Sequence, residues 1–457
     1  MATLGLGNQS EVADLLAKAK NLHSRVLFVL MAFVIYRLGT HIPLPGVDVV
    51  ALASFQSHLQ SGLFGLFNMF SGGAFSRMAV FALNIMPYIT ASIIIQLLAA
   101  SYPSLGELRK EGEVGRRKLN QYTRYLTVVL ALVQGFGLAS GIQHQTANVG
   151  GELMPLVANP GLAFQLQTAL TICAGSLFMM WLGEQINTRG IGNGISLLIF
   201  AGIVAEFPKT FMRIFELART GSLSELIVLG IVIGAVAAIL FIVFMETAIR
   251  KVAIQYPKRQ GMFGNINTDS NHLPLKLNLA GVIPPIFASA LLMVPVTLAS
   301  YAPQSAWAQF VGQYLSPGHS IYLVVFVAMI IFFSYFYVAT VSFNPQETAE
   351  NLKKQGAFIP GIRPGESTAK YLDELATRLT TIGALYLAFV CAVPDLLHRD
   401  TTIPFYIGGT SLLIIVSVTI DTVARIQSAL IAQKYESLLK RAGGKGAGVG
   451  LLAGRRK

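Results

Sequence analysis

The chain has 457 residues, of which 53% are hydrophobic and only 12% are charged. A water-soluble domain carries about twice that share of charge, so the composition excludes an ordinary soluble enzyme and indicates a protein covered largely by lipid. The first interpretation of the net charge of +12 is a signal for membrane topology, and the second is nucleic-acid binding. The two cysteines, Cys173 and Cys391, lie in apolar runs, which excludes a disulfide framework.

Ten apolar segments follow one another along the chain, and a helix needs about 20 apolar residues to span the hydrocarbon core of a bilayer. They predict an all-α polytopic membrane protein whose termini lie on one side, because the number is even. Lys18, Lys20 and Arg25 precede the first segment without a clean cleavage site after it, so we interpret it as a transmembrane helix. The predicted spans lie near residues 24–42, 76–99, 122–142, 162–182, 192–210, 223–246, 278–300, 320–342, 377–393 and 404–424.

The distribution of positive charge tests this topology. If the termini and the connections after every second span are cytoplasmic, that side holds 28 of the 34 lysines and arginines. Cytoplasmic loops of membrane proteins carry such an excess, so the asymmetry agrees with ten spans and cytoplasmic termini. The six basic residues on the opposite side are Arg37, Arg77, Lys209, Arg213, Arg219 and Arg399.

The external connection 43–75 is longer than the others. It contains a stretch rich in glycine and phenylalanine, residues 61–73, whose apolar part is too short to cross a bilayer. Irregular backbone at membrane depth needs surrounding protein or a water-filled cavity. We therefore interpret this stretch as a re-entrant or interfacial segment.

Two spans share the pattern Pro-x-Ile-x-Ala-Ser, at residues 87–92 in the second span and 284–289 in the seventh. These spans hold equivalent places in two five-helix halves, and a matched pair of spans interrupted by proline marks a functional site between repeats. The alternative is coincidence, because the match is only six residues long.

Enzyme signatures are missing from the sequence. It contains no His-Glu-x-x-His zinc motif and no Gly-x-x-x-x-Gly-Lys-Ser/Thr phosphate loop, so we predict no catalytic residue, metal or cofactor. The stretch 190–194 resembles part of a dinucleotide loop, but it follows Arg189 instead of a strand, and a sharp turn at a helix start is the better interpretation. The predicted span centres hold no carboxylate, which argues against an ion path. The polar residues at those centres are Asn84, Gln96 and Gln134, and the acidic residues near helix ends are Glu206, Glu225, Glu246 and Asp421.

Isoleucines lie beside these glycines and prolines. Ile85 and Ile89 are four residues apart and share a face of the predicted helix, as do Ile195 and Ile199. Ordinary packing explains such residues equally well, so periodicity alone assigns them no function.

Most basic loop residues also have a purely topological explanation. Arg363 differs, because two Pro-Gly turns flank it and should hold it outward on a stiffened loop. This arrangement predicts contact with a partner.

The longest motifs resemble those of the SecY family of bacterial protein-conducting channels, and the resemblance covers nearly the whole chain. The motifs are Phe70-Ser-Gly-Gly73 with Ser76-Arg77, Phe81–Ile89 with Ala91–Leu98, Gly183–Ile186 with Arg189–Ser196, Asn278–Pro284, Gly361–Gly365 and Gly408–Leu413.

The resemblance implies ten helices in two inverted five-helix halves around an hourglass pore, with a short re-entrant plug helix. Residues 1–210 would form the N-terminal half, 211–425 the C-terminal half and 426–457 a basic cytoplasmic tail. The pore would pass unfolded secretory polypeptides across the plasma membrane. A lateral gate between the second and seventh spans would release transmembrane segments into lipid.

The resemblance also implies site residues. The pore ring would be Ile85, Ile89, Ile195, Ile199, Ile286 and Ile414. The plug would be Gly62, Leu63, Phe64, Gly65, Leu66, Phe67, Asn68, Met69, Phe70, Ser71, Gly72 and Gly73. The lateral gate would include Thr90, Gln96, Gln134 and Val294.

A ring of branched aliphatic side chains suits this role, because it offers a passing chain no hydrogen-bonding partner and excludes ions when it is narrow and dry. One residue departs from the family pattern. Family members usually have glycine where this chain has Asn84, and asparagine adds volume and a hydrogen-bonding group just before the first ring isoleucine.

Since the chain has no nucleotide site, the resemblance implies that partners supply the energy. They would be the small membrane subunits SecE and SecG, the SecA motor ATPase and the ribosome with its nascent chain, together with signal sequences and membrane lipids. SecA and ribosomal RNA would dock on the cytoplasmic loops 247–276 and 343–376 and on the tail. The contact residues would be Arg250, Lys251, Lys258, Arg259 and Arg363, the last being the best single candidate.

Two other functions stay open at this point. A secondary transporter for a small solute also uses repeats and broken helices, although the uncharged span centres argue against it. A membrane scaffold or insertase partner without an open pore is the other.

Overall fold

A computed structural model describes most of the chain, over residues 9–59, 68, 70–143, 145–149, 152–221, 225–255, 271–299, 305–315, 319–400 and 408–444. Helices dominate these residues, and the strands form only two short antiparallel ribbons. The helices are α1 Gln9–Gly39, α2 Val49–Leu59, α3 Met86–Ser101, α4 Pro103–Lys110, α5 Glu113–Ile142, α6 Leu162–Arg189, α7 Gly194–Arg219, α8 Glu225–Thr247, α9 Ile283–Ala299, α10 Ala306–Tyr314, α11 Ser320–Tyr337, α12 Pro345–Lys354, α13 Glu366–Asp400 and α14 Gly409–Gly444. The ribbons pair β1 Thr146–Val149 with β2 Glu152–Pro155, and β3 Ile249–Ile254 with β4 Asn271–Lys276.

The prediction of an all-α polytopic membrane protein is confirmed. Within the described residues, 8 helices are long and apolar enough to cross a membrane, or 9 if α3 and α4 are counted as one span bent by 106°. The apolar helix in the seventh predicted span, Ile283–Pro295, is shorter. Each of the ten predicted segments contains a helix, but the count of ten complete spans stays a prediction.

The second and seventh spans begin later than predicted. Residues 71–85 run through successive turns, and α3 begins at Met86 with Pro87 in its first turn. Proline lacks an amide hydrogen and its ring clashes with the carbonyl four residues earlier, so it is accommodated best in the first turn of a helix. For the same reason α9 begins at Ile283, just before Pro284 and Pro285. The shared pattern therefore marks two helix starts.

Lipid-facing surface is most extensive on α8. In the apolar window of this helix, only 6% of the residues are buried, and side chains such as Leu240 and Phe244 are exposed. Water could not solvate so continuous an apolar surface, so this helix lies against lipid.

The two predicted docking loops pack together as one unit outside the bundle. Ribbon β3–β4 pairs from Ile249 opposite Lys276 to Ile254 opposite Asn271, and Gln255 exchanges two backbone hydrogen bonds with Phe358, both 2.9 Å long. A separate hydrophobic cluster lies beneath this ribbon. Its buried members are Val252, Ile254, Leu275, Leu352, Ala357, Ile359, Leu372 and Leu379. We call residues 249–255, 271–277 and 343–379 the loop body.

Candidate functional site

The six predicted ring isoleucines all belong to the main hydrophobic core of the bundle, which they share with many other buried side chains. Five of them are buried and Ile195 is partly buried. Four elements supply them, because Ile89 lies in α3, Ile195 and Ile199 in α7, Ile286 in α9 and Ile414 in α14, while Ile85 immediately precedes α3. None of the six side chains is exposed like the isoleucines that face lipid.

The sequence predicted that Ile85 lies on a helix face. In the structure it is instead the N-cap residue of α3. Its carbonyl accepts the amide of Ile89 at 3.1 Å and so begins the helix. Ile85 and Ile195 both face Gly183 of α6, where an added Cβ would lie 3.6 Å from Ile85 Cδ1 and 3.5 Å from Ile195 Cγ1. These are ordinary van der Waals distances, so Ile85 and Ile195 pack on the same part of α6.

The glycine-rich turn between α6 and α7 is confirmed as a helix start. Asn193 caps α7 with its side-chain oxygen, which accepts the amide of Ile195 at 3.2 Å. Gly192 has a φ of +98°, which favours glycine, and a Cβ on Gly194 would collide with the carbonyl of Gly183. The turn therefore fixes Ile195 close to α6.

The predicted plug lies only partly within the described residues. Gly62, Leu63, Phe64, Gly65, Leu66, Phe67 and Met69 lie outside them, and Asn68, Phe70, Ser71, Gly72 and Gly73 lie inside. The described end of this segment is buried among α1, α7 and the turns that precede α3.

Three consecutive carbonyls at this end accept hydrogen bonds from side chains that lie between 5 and 35 residues away in the sequence. Asn84 Nδ2 donates to Phe70 O at 2.7 Å, and Tyr36 Oη donates to Ser71 O at 2.9 Å. The third carbonyl, that of Gly72, accepts hydrogen bonds from two guanidinium groups, Arg37 at 3.0 Å and Arg77 at 2.9 Å. We call the carbonyls of residues 70–72 and their four donors the hinge clamp.

An ion cluster stabilises the clamp from the α7 side. Glu206 lies 4.0 Å from Arg37, 3.9 Å from Arg77 and 3.3 Å from Lys209. These three cations are among the six that the charge count placed on the external side. One carboxylate therefore holds the two arginines that bond Gly72.

The backbone of the hinge clamp packs directly against α7. Gly72 has a φ of +63°, and a Cβ there would lie 2.8 Å from the Cα of Gly202. A Cβ on Gly202 would in turn lie 2.7 Å from Tyr36 Oη and 3.0 Å from Phe70 O. Only glycine at both positions allows this approach.

The predicted lateral-gate residues lie on α3, α5 and α9, and α9 packs against both α3 and α5. Thr90 and Gln134 are buried, whereas Gln96 and Val294 are partly buried. Gln96 donates to Ser92 Oγ at 3.0 Å within its own helix. The side-chain carbonyl oxygens of Gln96 and Gln134 are buried without a hydrogen bond among the described residues. The seam thus contains polar groups that water or a ligand could satisfy.

A polar cavity of about 300 Å³ lies on the side of the bundle that carries the loop body. Asn193 and Ser196 line it next to the ring residue Ile195. Asn278 donates to the buried carboxylate of Glu246 at 2.8 Å on the opposite wall. Polar surface therefore borders the isoleucine cluster on this side.

The basic residues predicted to bind partners lie on the loop body as far as the structure describes them. Arg250 and Lys251 are exposed on β3, Arg363 is exposed between its two turns, and Lys258 and Arg259 lie outside the described residues. Thr368 Oγ1 donates to the carbonyl of Arg363 at 2.9 Å, which fixes the backbone of this turn against the start of α13.

Comparison with known proteins agrees with this geometry. The model of the SecY family matches residues 79–423, well over half of the chain. The chain belongs to the SecY family. It is 49% identical over 430 residues to the protein translocase subunit SecY of Escherichia coli strain K12, which covers 93% of this chain and 96% of that protein. The SecY subunit of Pseudomonas aeruginosa is also 49% identical, over 434 residues that cover 94% of this chain and 96% of that protein.

Solved structures show the same fold at low sequence identity. One, described as the structure of a protein conducting channel, has a TM-score of 0.66 and 17% identity over 90% of this chain and 93% of its own. A second reports that the plug domain of the SecY protein stabilises the closed state of the translocation channel and maintains a membrane seal, with a TM-score of 0.64, 18% identity and the same coverage. Sec61 in the canine ribosome-channel complex has a TM-score of 0.61 and 16% identity, again over 90% and 93%.

Sequence reasoning missed one donor of the hinge clamp and the α7 residues that support it. Tyr36 and Gly202 attracted no attention, and Glu206 was noted only as a carboxylate near a helix end. These residues contact the hinge clamp although at least 35 residues of sequence separate them from the groups that they contact, so no local pattern reveals them. Asn84 has a φ of +48°, a backbone conformation that asparagine tolerates more readily than most residues that carry a Cβ.

Proposed function

We propose that this chain is the pore-forming subunit of a protein translocation channel, a conduit and not an enzyme. The observation that carries the proposal is that six isoleucines from four helices and the cap of α3 share one buried cluster, next to a polar cavity. Relatives that cover nearly all of this chain are named protein translocase subunits. Unfolded secretory polypeptides would pass through the cluster.

The chemistry of the isoleucines explains how such a site selects. An ion that enters a dry apolar constriction loses hydration worth on the order of 20 kcal/mol in the idealised limit, and such constrictions gate by dewetting. A polypeptide fills the constriction with its own bulk and finds no fixed hydrogen-bonding partner there. The ring therefore passes many sequences and still excludes ions.

The plug and the lateral gate complete the proposed channel. The segment 62–73 would close the pore from the external side, since its described end is bonded beside the ring residue Ile85. Transmembrane segments would leave between α3 and α9, whose seam combines apolar side chains with the unpaired oxygens of Gln96 and Gln134. The halves 1–210 and 211–425 would meet at this seam, with 426–457 as a basic tail.

The loop body is the proposed docking surface for partners that supply energy. We place it on the cytoplasmic side of the bacterial plasma membrane, with both termini, because the predicted charge asymmetry favours that orientation. SecA and the ribosome would bind here, and SecE and SecG would flank the helices in lipid. The ribosome-bound Sec61 structure, which shares this fold, supports a ribosomal partner.

Cross-linking tests the proposal. A photo-reactive amino acid replaces Ile89 or Ile286 in turn, and a secretory chain is stalled during translocation. Ile233 of α8 is the matched control, because it is also an isoleucine but is 59% exposed on the lipid-facing surface. We expect the stalled chain to cross-link to both ring positions and not to residue 233.

Other outcomes distinguish the alternative functions. Equal cross-linking at residue 233 would mean that the polypeptide runs along the outside of the bundle, as a scaffold predicts. Uptake of a small solute by the purified protein, with no cross-link at the ring, would favour a transporter.

A further inference from the structure

The short helix α10 has one face towards the protein and another face away from it. Ala308 and Val311 are buried, with 7% and 2% of their surface exposed, whereas Trp307 and Phe310 are 50% and 55% exposed. Residues three positions apart share a helix face. The helix therefore packs on the bundle through small apolar side chains and presents an aromatic face outward.

The sequence around α10 is free of charge. No Asp, Glu, Lys or Arg occurs between Lys276 and Glu347, although α10 lies in the connection between two apolar helices. The connection that follows α7 differs, because that helix ends at Arg219. An uncharged aromatic face is unusual in contact with water and typical of the level of the lipid headgroups, where Trp and Tyr are enriched.

The lipid-facing surface of the bundle continues on both sides of α10. The helix packs against α9 and α11. Leu298 near the end of α9 is 45% exposed, and Ile321 at the start of α11 is 47% exposed. Lipid covers exposed apolar side chains of this kind on a membrane-embedded bundle. α10 therefore lies between the end of one lipid-facing helix and the start of the next, at the edge of the apolar surface.

The side chains of α10 combine aromatic rings with uncharged polar groups. The rings of Phe310 and Tyr314 lie 4.8 Å apart, and Gln309 and Gln313 are exposed beside them. Helices that lie in a membrane interface bury apolar side chains in the headgroup boundary, and many add lysine or arginine to attract anionic lipids. α10 has no such cation, so its attachment depends on apolar area and not on lipid charge.

We propose that α10 is an interfacial helix whose aromatic face binds the lipid headgroup region on the side of the membrane opposite the loop body. Trp307 and Phe310 insert into this region, and the contact between α10 and α9 holds that end of α9 at a fixed depth in the bilayer. The occupant of the aromatic face is lipid and not a protein subunit. The inference goes beyond the proposed function, because the cross-linking test at the isoleucines does not involve α10.

Tryptophan fluorescence tests the proposal, because the chain has only two tryptophans, Trp181 and Trp307. The purified translocation complex is placed in vesicles of phosphatidylethanolamine and phosphatidylglycerol that carry a nitroxide quencher either at the headgroup or deep on the acyl chain. Trp181→Phe leaves Trp307 as the one tryptophan of the chain, and adding Trp307→Phe gives the background from partner subunits. Val236→Trp in that double variant is the deep reference, because Val236 is 53% exposed at the middle of α8.

We expect the headgroup nitroxide to quench Trp307 about twofold more than the acyl-chain nitroxide, because interfacial helices insert only about 5–10 Å into the headgroup boundary. Val236→Trp should show the opposite order. Replacing phosphatidylglycerol with phosphatidylcholine should leave the quenching of Trp307 unchanged, because α10 has no cation to bind an anionic lipid.

A second variant asks whether the aromatic face itself provides the attachment. In the Trp181→Phe background, Phe310→Ser should reduce quenching of Trp307 by the headgroup nitroxide about twofold, because the lost ring removes apolar area from the lipid contact. Gln309→Ser is the matched control, since Gln309 is also exposed on α10 but has no ring. It should leave the quenching unchanged.

The other outcomes each overturn the proposal. Quenching of Trp307 by water-soluble acrylamide and by neither nitroxide would show that the aromatic face lies in water. Protection from all three quenchers would show that a protein subunit covers it. Stronger quenching by the acyl-chain nitroxide would place α10 inside the hydrocarbon core. An unchanged depth in Phe310→Ser would show that packing against α9, and not lipid, positions the helix.

Discussion

The helical bundle and the loop body each have a hydrophobic core of their own, but they differ in what surrounds it. Around the bundle the exposed side chains are largely apolar, as on α8, and the buried interior is mainly apolar, with uncharged polar groups and one acidic side chain, Glu246, near the end of α8. Around the loop body many of the exposed side chains are charged. Its exposed lysines and arginines include Arg250, Lys251, Lys276, Lys353, Lys354, Arg363 and Lys370.

This difference separates two tasks. In the proposed channel, an uncharged apolar constriction would exclude ions without recognising any particular chain, whereas the charged surface of the loop body would recognise a partner. Charge in the bundle concentrates at its ends, as at Glu206 with its three cations and at Asp421, which pairs with Arg425 at 3.3 Å. Substitutions in one region should therefore leave the task of the other intact.

The largest effect is expected from Leu372→Ala in the core of the loop body. Leu372 is 0% exposed, and losing such a side chain costs about 2–5 kcal/mol. Hydrogen exchange of β3 and β4 should accelerate and SecA-driven translocation should fall, while resting ion conductance stays unchanged. Leu385→Ala in the same helix is the control, because Leu385 is 59% exposed and should have little effect. An increase in resting ion conductance caused by Leu372→Ala would contradict the separation of tasks between the bundle and the loop body.

A smaller effect is expected from Gly72→Ala in the hinge clamp. The substitution forces a side chain into a left-handed conformation, which costs roughly 1–2 kcal/mol, and presses its Cβ against Gly202. Resting ion conductance should rise because the backbone of residues 70–72 is displaced from its position against α7. Gly221→Ala separates the two causes, since Gly221 has a φ of +73° but an added Cβ there meets nothing within 4 Å. Equal leaks from both variants would show that the approach to α7 is irrelevant.

Arg363→Glu is expected to act on docking alone. Reversing one exposed charge on a rigid turn should weaken SecA-driven translocation by roughly tenfold, about the worth of one charge-assisted contact, with normal membrane insertion. The effect should shrink as salt is raised, because exposed charges are screened. Arg219→Glu makes the same charge change on the predicted external side and should leave SecA-driven translocation unchanged. Full translocation by Arg363→Glu would remove this residue from the docking surface.

The sequence was sufficient for the features that depend on local pattern. Apolar runs predicted a helix in each of the ten segments, and the Pro-Gly turns placed Arg363 outward. The helix starts at Met86 and Ile283 were predicted too early, because hydropathy does not register that proline stops a helix from extending towards the N-terminus.

Features that depend on distant contacts could not be predicted. The carbonyls of residues 70–72 find their donors in Tyr36, Arg37 and Asn84, between 14 and 35 residues away, and only the packing of α1 and α7 brings them together. The pairing of Gln255 with Phe358 joins the two predicted docking loops, a contact that the sequence did not predict. Such contacts depend on tertiary structure and leave no periodic signal.

The most direct test of the account is the resting ion conductance of the purified translocation complex in vesicles, with Ile85, Ile286 or Ile414 replaced by asparagine. An amide that hydrates the constriction by one hydrogen bond lowers the barrier by about 1–1.5 kcal/mol, so each variant should leak about tenfold more. Ile233→Asn on the lipid-facing side of α8 should match the unsubstituted channel. Unchanged conductance in all three ring variants would contradict the claim that these isoleucines seal the pore.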